Sequence, residues 1–208
     1  MRRTIYLALV AVPLALASAT RAGDSPAGLF NGKDLAGWEG LIDDHWKWDS
    51  EQKALVGSAP KGLKFNTFLC SKKKYGDFEL TFQVKMTKGA NSGVQIRSEV
   101  ENTKTYQCKG PQCDMGQIYW GSLYGEHFGG MMKAAPPELV KKIVKEGDWN
   151  DYSIRAVGKH ITIKLNGETT VDGEFEKAPD TGVIAFQLHS GAPMEVIFKN
   201  LRFAEIKK

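Results

Sequence analysis

Between Asp77 and Thr87 the chain alternates with a period of two. Phe78, Leu80, Phe82, Val84 and Met86 are apolar, and Glu79, Thr81, Gln83 and Lys85 between them are not. In an extended strand successive side chains point to opposite faces, so the five apolar groups share one face. A helix would scatter them around its axis. The segment therefore requires a sheet with one face on a core and the other toward water. Tyr152, Ile154 and Ala156 repeat the pattern, Gly158-Lys159 turns the chain, and Ile161, Ile163 and Leu165 continue it. Asn166-Gly167 suits a two-residue hairpin turn in which both central residues take positive φ. Glu168–Asp172, Val183–His189 and Glu195–Ile206 supply more strands, the last kinked near Asn200. Helical spacing appears only over Pro137–Lys145, and predicts at most one short connecting helix. Many strands, glycine-rich turns and almost no helix imply an all-β, two-sheet jelly-roll sandwich. Glu101–Met132 alternates poorly and is expected to be a long ordered loop that walls a functional site.

Residues 1–22 stand apart. Met1-Arg2-Arg3 is a positive start, Ile5–Ala17 is an apolar run broken only by Pro13, and small residues follow. This is the pattern of a secretory signal peptide, shorter than the roughly 20 residues that span a bilayer. The expected organisation is a signal at 1–22 and one domain over 23–208, exported to the periplasm or beyond, with no membrane insertion once the signal is removed. Without the three arginines of the signal, 25 basic residues face 24 acidic ones. That balance excludes nucleic acid as partner, which calls for concentrated positive charge. Three cysteines remain, Cys70, Cys108 and Cys113. An oxidising compartment permits a disulfide, and Cys108 and Cys113 flank Lys109-Gly110-Pro111-Gln112, read as a turn across which they can pair. No Cys/His spacing forms a zinc motif. Trp38 and Trp149 read as core anchors.

Five segments in order resemble one family: LFNGKDLAGW (29–38), YGDFELTFQVK (75–85), ANSGVQIRSE (90–99), GDWNDYSIRAVGKHITIKLNG (147–167) and GVIAFQLHSGAPMEVIFKNLRFAEI (182–206). The chain is similar to the 3-keto-disaccharide hydrolases, also described as 3-keto-glucoside 1,2-lyase/3-keto-2-hydroxyglucal hydratase domains. The resemblance implies a concanavalin A-like lectin/glucanase jelly roll and an enzyme acting on an oxidised sugar or glycoside. Where many members carry an aromatic-Glu-x-Gln strand, this chain reads GPQCDMGQIYWGSLYGE (110–126), which aligns Gln112 and Asp114 with the Glu and Gln.

Alternation nominates the site. With Val94 and Ile96 toward the core, Gln95, Arg97 and Glu99 share the opposite face. Gln187 and His189 share a face two residues apart, as do Gln112 and Asp114. His189, Arg97 and Asp114 are the expected catalytic set. A free imidazole titrates near neutrality, a guanidinium is a fixed fork of donors, and a carboxyl can act as base or acid. Gln187, Gln95, Gln112 and Glu99 are expected to bind substrate, with Tyr119, Trp120 and Tyr124 stacking on a sugar ring and Glu126 and His127 completing the loop. A ketone at carbon 3 acidifies the hydrogen on carbon 2, so a base can remove it while donors hold the enolate oxygen. The group on carbon 1 then leaves, and water adds. This chemistry allows a divalent metal at the enolate, though no ligand motif marks one. A non-catalytic carbohydrate-binding module and a cell-envelope protein-binding domain are the competing readings.

Overall fold

The computed structural model describes residues 28–207, and the segment read as a signal peptide lies outside them. The elements run β1 (Trp38–Glu39), α1 (Ile42–His45), β2 (Trp46–Asp49), β3 (Ala54–Ala59), β4 (Thr67–Ser71), β5 (Phe78–Met86), β6 (Asn91–Asn102) and β7 (Gln107–Gly116). β8 (Leu123–Glu126), β9 (Gly130–Lys133), α2 (Pro137–Ile143), β10 (Asn150–Val157), β11 (His160–Leu165), β12 (Glu168–Glu174), β13 (Val183–Leu188) and β14 (Met194–Glu205) follow. They form two antiparallel sheets of seven strands. Sheet A has the order β1-β4-β13-β6-β7-β8-β9, and sheet B the order β12-β11-β10-β5-β14-β3-β2. The all-β sandwich is thus the observed architecture. The one-turn α1 joins the helix expected at Pro137.

The core lies between the sheets, on the faces that alternation assigns. Phe78, Leu80, Phe82 and Val84 of β5 meet Ile184, Phe186 and Leu188 of β13 and Val94 and Ile96 of β6 in one buried cluster. Phe186 ties the layers together, since its ring lies 4.8 Å from Phe198 and 6.5 Å from Phe82 across the sandwich. Each such side chain contributes about 1.5–3 kcal/mol by leaving water. Trp38 stacks on Phe30 at 4.3 Å and belongs to this core. Trp149 does not: it is half-buried, with the Lys199 ammonium 3.6 Å from its ring centroid. Asn166 and Gly167 both take positive φ and close the β11–β12 hairpin. β14 slips register between Lys199 and Arg202, with Asn200 at φ 54°, which is the expected kink.

Two expectations fail in the middle of the chain. Glu101–Met132 is not a loop; it holds the end of β6, all of β7 and β8, and β9 up to its last residue. β7 is buried on both faces from Gly110 to Gly116, so its sequence does not alternate. Lys109-Gly110-Pro111-Gln112 is likewise strand and not turn, and Cys108 and Cys113 cannot pair. Five positions apart on one strand, they point to opposite faces: Cys113 sits in the core between the sheets, Cys108 in a small cluster on the outer face.

Candidate functional site

The outer face of sheet A carries a row of buried polar side chains. Register places Ala185 of β13 beside Gln95 of β6, Gln95 beside Gln112 of β7, and Gln112 beside Tyr124 of β8. Gly93 lies beside Asp114, and the Gln112 side chain lies over Gly93, 2.6 Å from where a β-carbon would stand. Any other residue at position 93 would displace Gln112. The amides link along the row. Gln95 Nε2 donates to Gln112 Oε1 at 3.0 Å, and Gln112 Nε2 approaches Gln187 Oε1 at 3.3 Å and Asp114 Oδ1 at 3.4 Å. Ser98 Oγ donates to Gln95 Oε1. Gln187 is fully buried, yet its Nε2 donor has no hydrogen-bond partner among the described residues. An unpaired buried donor costs about 1–3 kcal/mol, so Gln187 Nε2 is held at the expense of stability.

Asp114 ends the row. It is 4% exposed, and burial raises its carboxyl to about 7 despite bonds from the Met115 N–H, Gln112 and Asn91. The nearby charge of Glu126 adds to the rise. From the core side, Tyr152 Oη donates to the Asp114 carbonyl at 3.0 Å, and the Asp114 N–H donates to the Ser122 carbonyl at 2.9 Å. Asp114 is therefore held rigidly and poised to exchange a proton at neutral pH.

Arg97 does not join the row. It sits at φ 49° in a bulge where the β6–β7 register slips between Gln95 and Glu99. The extra residue returns Ser98, not Arg97, to the face of Gln95. The guanidinium instead reaches the end of the sandwich, pairs with Asp77 at 2.9 Å and donates to the carbonyls of Gly76 and Gly158. It is a buried tie between the sheets, and the expectation of an enolate donor is withdrawn. Glu99 lies exposed opposite Lys109, also off the row.

Beyond the bulge the β6–β7 hairpin folds back over the outer face of sheet A, beside the row. Its tip reaches β4, where the Tyr106 carbonyl accepts the Phe68 N–H at 3.0 Å and the Thr105 carbonyl accepts the Thr67 hydroxyl at 2.7 Å. Beneath it Phe68, Cys70, Cys108, Val183 and Ala185 form a second apolar cluster. Asn66 fastens the neighbouring rim. Its amide donates to Glu126 at 2.8 Å and its carbonyl accepts the Ser190 N–H at 2.8 Å. His189 Nδ1 bonds the Ser190 carbonyl at 2.6 Å, so in the neutral ring Nδ1 carries the proton and Nε2 is the acceptor. His189 lines a cavity of about 270 Å³ together with Asn91 and Gln117. Asn91 touches both sides: it bonds Asp114 on the row and opens on the His189 cavity.

The row thus unites Gln95, Gln112, Asp114 and Gln187, with Tyr124 and Glu126 nearby and His189 at the rim. The aromatic platform is not assembled as expected. Trp120 is 3% exposed and part of the core; it floors an apolar groove of about 700 Å³ with Tyr119, Ile118 and Val140. Tyr119 meets Tyr124 edge-on at 6.5 Å. His127 is exposed and pairs with Glu101 on the hairpin. Ser98, Asn66 and Asn91 were missed by sequence reasoning. Only the bulge exposes Ser98's role, and Asn66 and Asn91 sit where turn chemistry would also place an asparagine. Among the described residues no three His, Cys, Asp or Glu side chains converge as a ligand set.

Two solved structures from Parabacteroides distasonis, each a candidate glycosyl hydrolase, share the fold. One has 22% identity and a TM-score of 0.62 over 86% of this chain and 93% of its own. The other has 20% identity and a TM-score of 0.61, covering 84% and 96%. The carbohydrate-binding module CBM66 from Bacillus subtilis aligns with 14% identity and a TM-score of 0.57 over 81% and 96%. No curated protein matches the sequence. The model of the 3-keto-alpha-glucoside-1,2-lyase-like domain matches residues 26–204, and the chain belongs to that family.

Proposed function

We propose that the protein is an exported carbohydrate-active enzyme that cleaves a 3-keto glycoside by elimination and hydration, with Asp114 as the proton-transferring group. The observation that carries this reading is the buried, unpaired Gln187 donor in the same hydrogen-bonded row as a carboxyl raised to about 7. A carboxyl raised to about 7 exchanges its proton near neutral pH, and as carboxylate Asp114 takes the carbon 2 proton. The Gln187 and Gln112 amides donate to the carbon 3 oxygen as it gains charge. His189 at the rim, carrying a proton on Nε2 as well as on Nδ1, gives the Nε2 proton to the leaving oxygen on carbon 1; as water adds to the glucal, His189 takes a proton from the water and Asp114 returns its own to carbon 2. The likeness to candidate glycosyl hydrolases supports a carbohydrate substrate. The N-terminal pattern of a signal peptide supports export, and no described helix is long and apolar enough to cross a membrane.

The test is incubation with 3-keto-trehalose and simple 3-keto-glucosides, following release of free sugar. Turnover by the parent protein and its loss in Asp114→Asn are the expected results. Sugar binding without turnover in the parent would replace this reading with that of a binding module. The burial of Trp120 weakens that alternative, because such modules rely on an open aromatic platform.

A further inference from the structure

Cys70 of β4 and Cys108 of β7 belong to strands separated in sheet A by β13 and β6, yet their sulfurs lie 3.4 Å apart. They meet because the hairpin folds back over the outer face. Both residues are fully buried, in a cluster with Phe68, Val183 and Ala185. A disulfide needs about 2.05 Å between sulfurs, a small side-chain movement from the observed contact. Cys113 is on the opposite face of β7, in the core between the sheets, and takes no part.

We propose that Cys70 and Cys108 are a disulfide-forming pair that staples the β6–β7 hairpin to β4 across the outer face of sheet A. The oxidant is a small disulfide such as oxidised glutathione. One cysteine thiolate attacks it and releases a reduced glutathione; the second thiolate displaces the other. Two protein thiols become one disulfide, and one glutathione disulfide becomes two thiols. Exchange occurs while the hairpin is still open. In the folded, reduced chain the bond to Cys70 and burial push the Cys108 thiol far above its usual range and suppress its attack. The bridge spans 38 positions of sequence, long enough to constrain the unfolded chain strongly. The inference is independent of the catalytic reading, because it concerns the fastening of the hairpin and not the chemistry beside it.

The experiment is refolding of the full chain in a glutathione redox buffer, followed by acid quench, alkylation under denaturing conditions and peptide mapping. The expected product lacks two hydrogens, yields a Cys70–Cys108 cross-linked peptide and carries one label, on Cys113. Its melting temperature should lie about 10 °C above that of the same protein kept reduced. The Cys70→Ser and Cys108→Ser variants should each lose the redox dependence of melting. Three labelled thiols after oxidative refolding, or a cross-link to Cys113, would overturn the proposal.

Discussion

The two faces of sheet A are built from the same strands on opposite principles. On the inner face, Val94, Ile96, Ile184, Phe186 and Leu188 meet the second sheet in an apolar core. On the outer face, one residue along each strand, Gln95, Gln112, Asp114 and Gln187 are just as buried but polar, and they leave one donor unpaired and one carboxyl short of solvation. A chain selected only to fold would fill that face with aliphatic groups. The difference separates residues held for stability from residues held at its expense.

The comparison breaks most directly at Asp114. Asp114→Asn keeps the shape and should reduce turnover of a 3-keto glycoside by about 10²–10⁴-fold, measured at saturating substrate. If turnover persists, the outer face does not carry the reaction. On the inner face, Phe186→Ala should cost about 3–5 kcal/mol in urea unfolding by opening a cavity between the sheets. Arg97→Ala should behave like a core change and not a site change. It strands Asp77 and three carbonyls at the end of the sandwich and should cost on the order of 3 kcal/mol. A folded, fully stable Arg97→Ala protein would show that the tie is dispensable. The smallest effect is expected for Gln187→Met. Exchanging an amide whose donor is unpaired and whose oxygen accepts one long bond from Gln112 for an apolar group of similar length should move stability by less than about 1 kcal/mol, while activity falls. A large destabilisation would assign Gln187 to the structural side.

The inner face was legible because alternation maps one period onto one buried face, as in β5 and β13. The outer face was partly legible for the same reason: Gln187, Gln95, Gln112 and Asp114 were placed by counting in twos. The count fails at Arg97, where a bulge inserts a residue and Ser98 takes the position expected of it. Nothing local announces the bulge; it depends on Asp77 and the Gly158 carbonyl, far away in sequence. β7 was illegible as a strand for the opposite reason, since burial on both faces erases the polar half of the pattern. The folded-back hairpin has no signature in the sequence, because it is made of long-range contacts from Tyr106 and Cys108 to β4. Likewise, Trp120 offers the same aromatic ring to a sugar or to a core, and only the fold decides between them.

The central claim is that the outer face gives up stability to hold a carboxyl ready for proton transfer, and Asp114 measures it. A carboxyl raised from an ordinary 3.8 to about 7 is protonated in the native state where the unfolded chain is already ionised. Its contribution is fully present below about pH 4 and is lost as pH rises through about 7, a change on the order of 4 kcal/mol. Asparagine cannot ionise. Urea unfolding of the parent and Asp114→Asn should therefore give similar stabilities near pH 4 and a gap that opens toward pH 8, with the variant the more stable. A gap that stays constant between those pH values, or a parent that gains on the variant as pH rises, would contradict the claim.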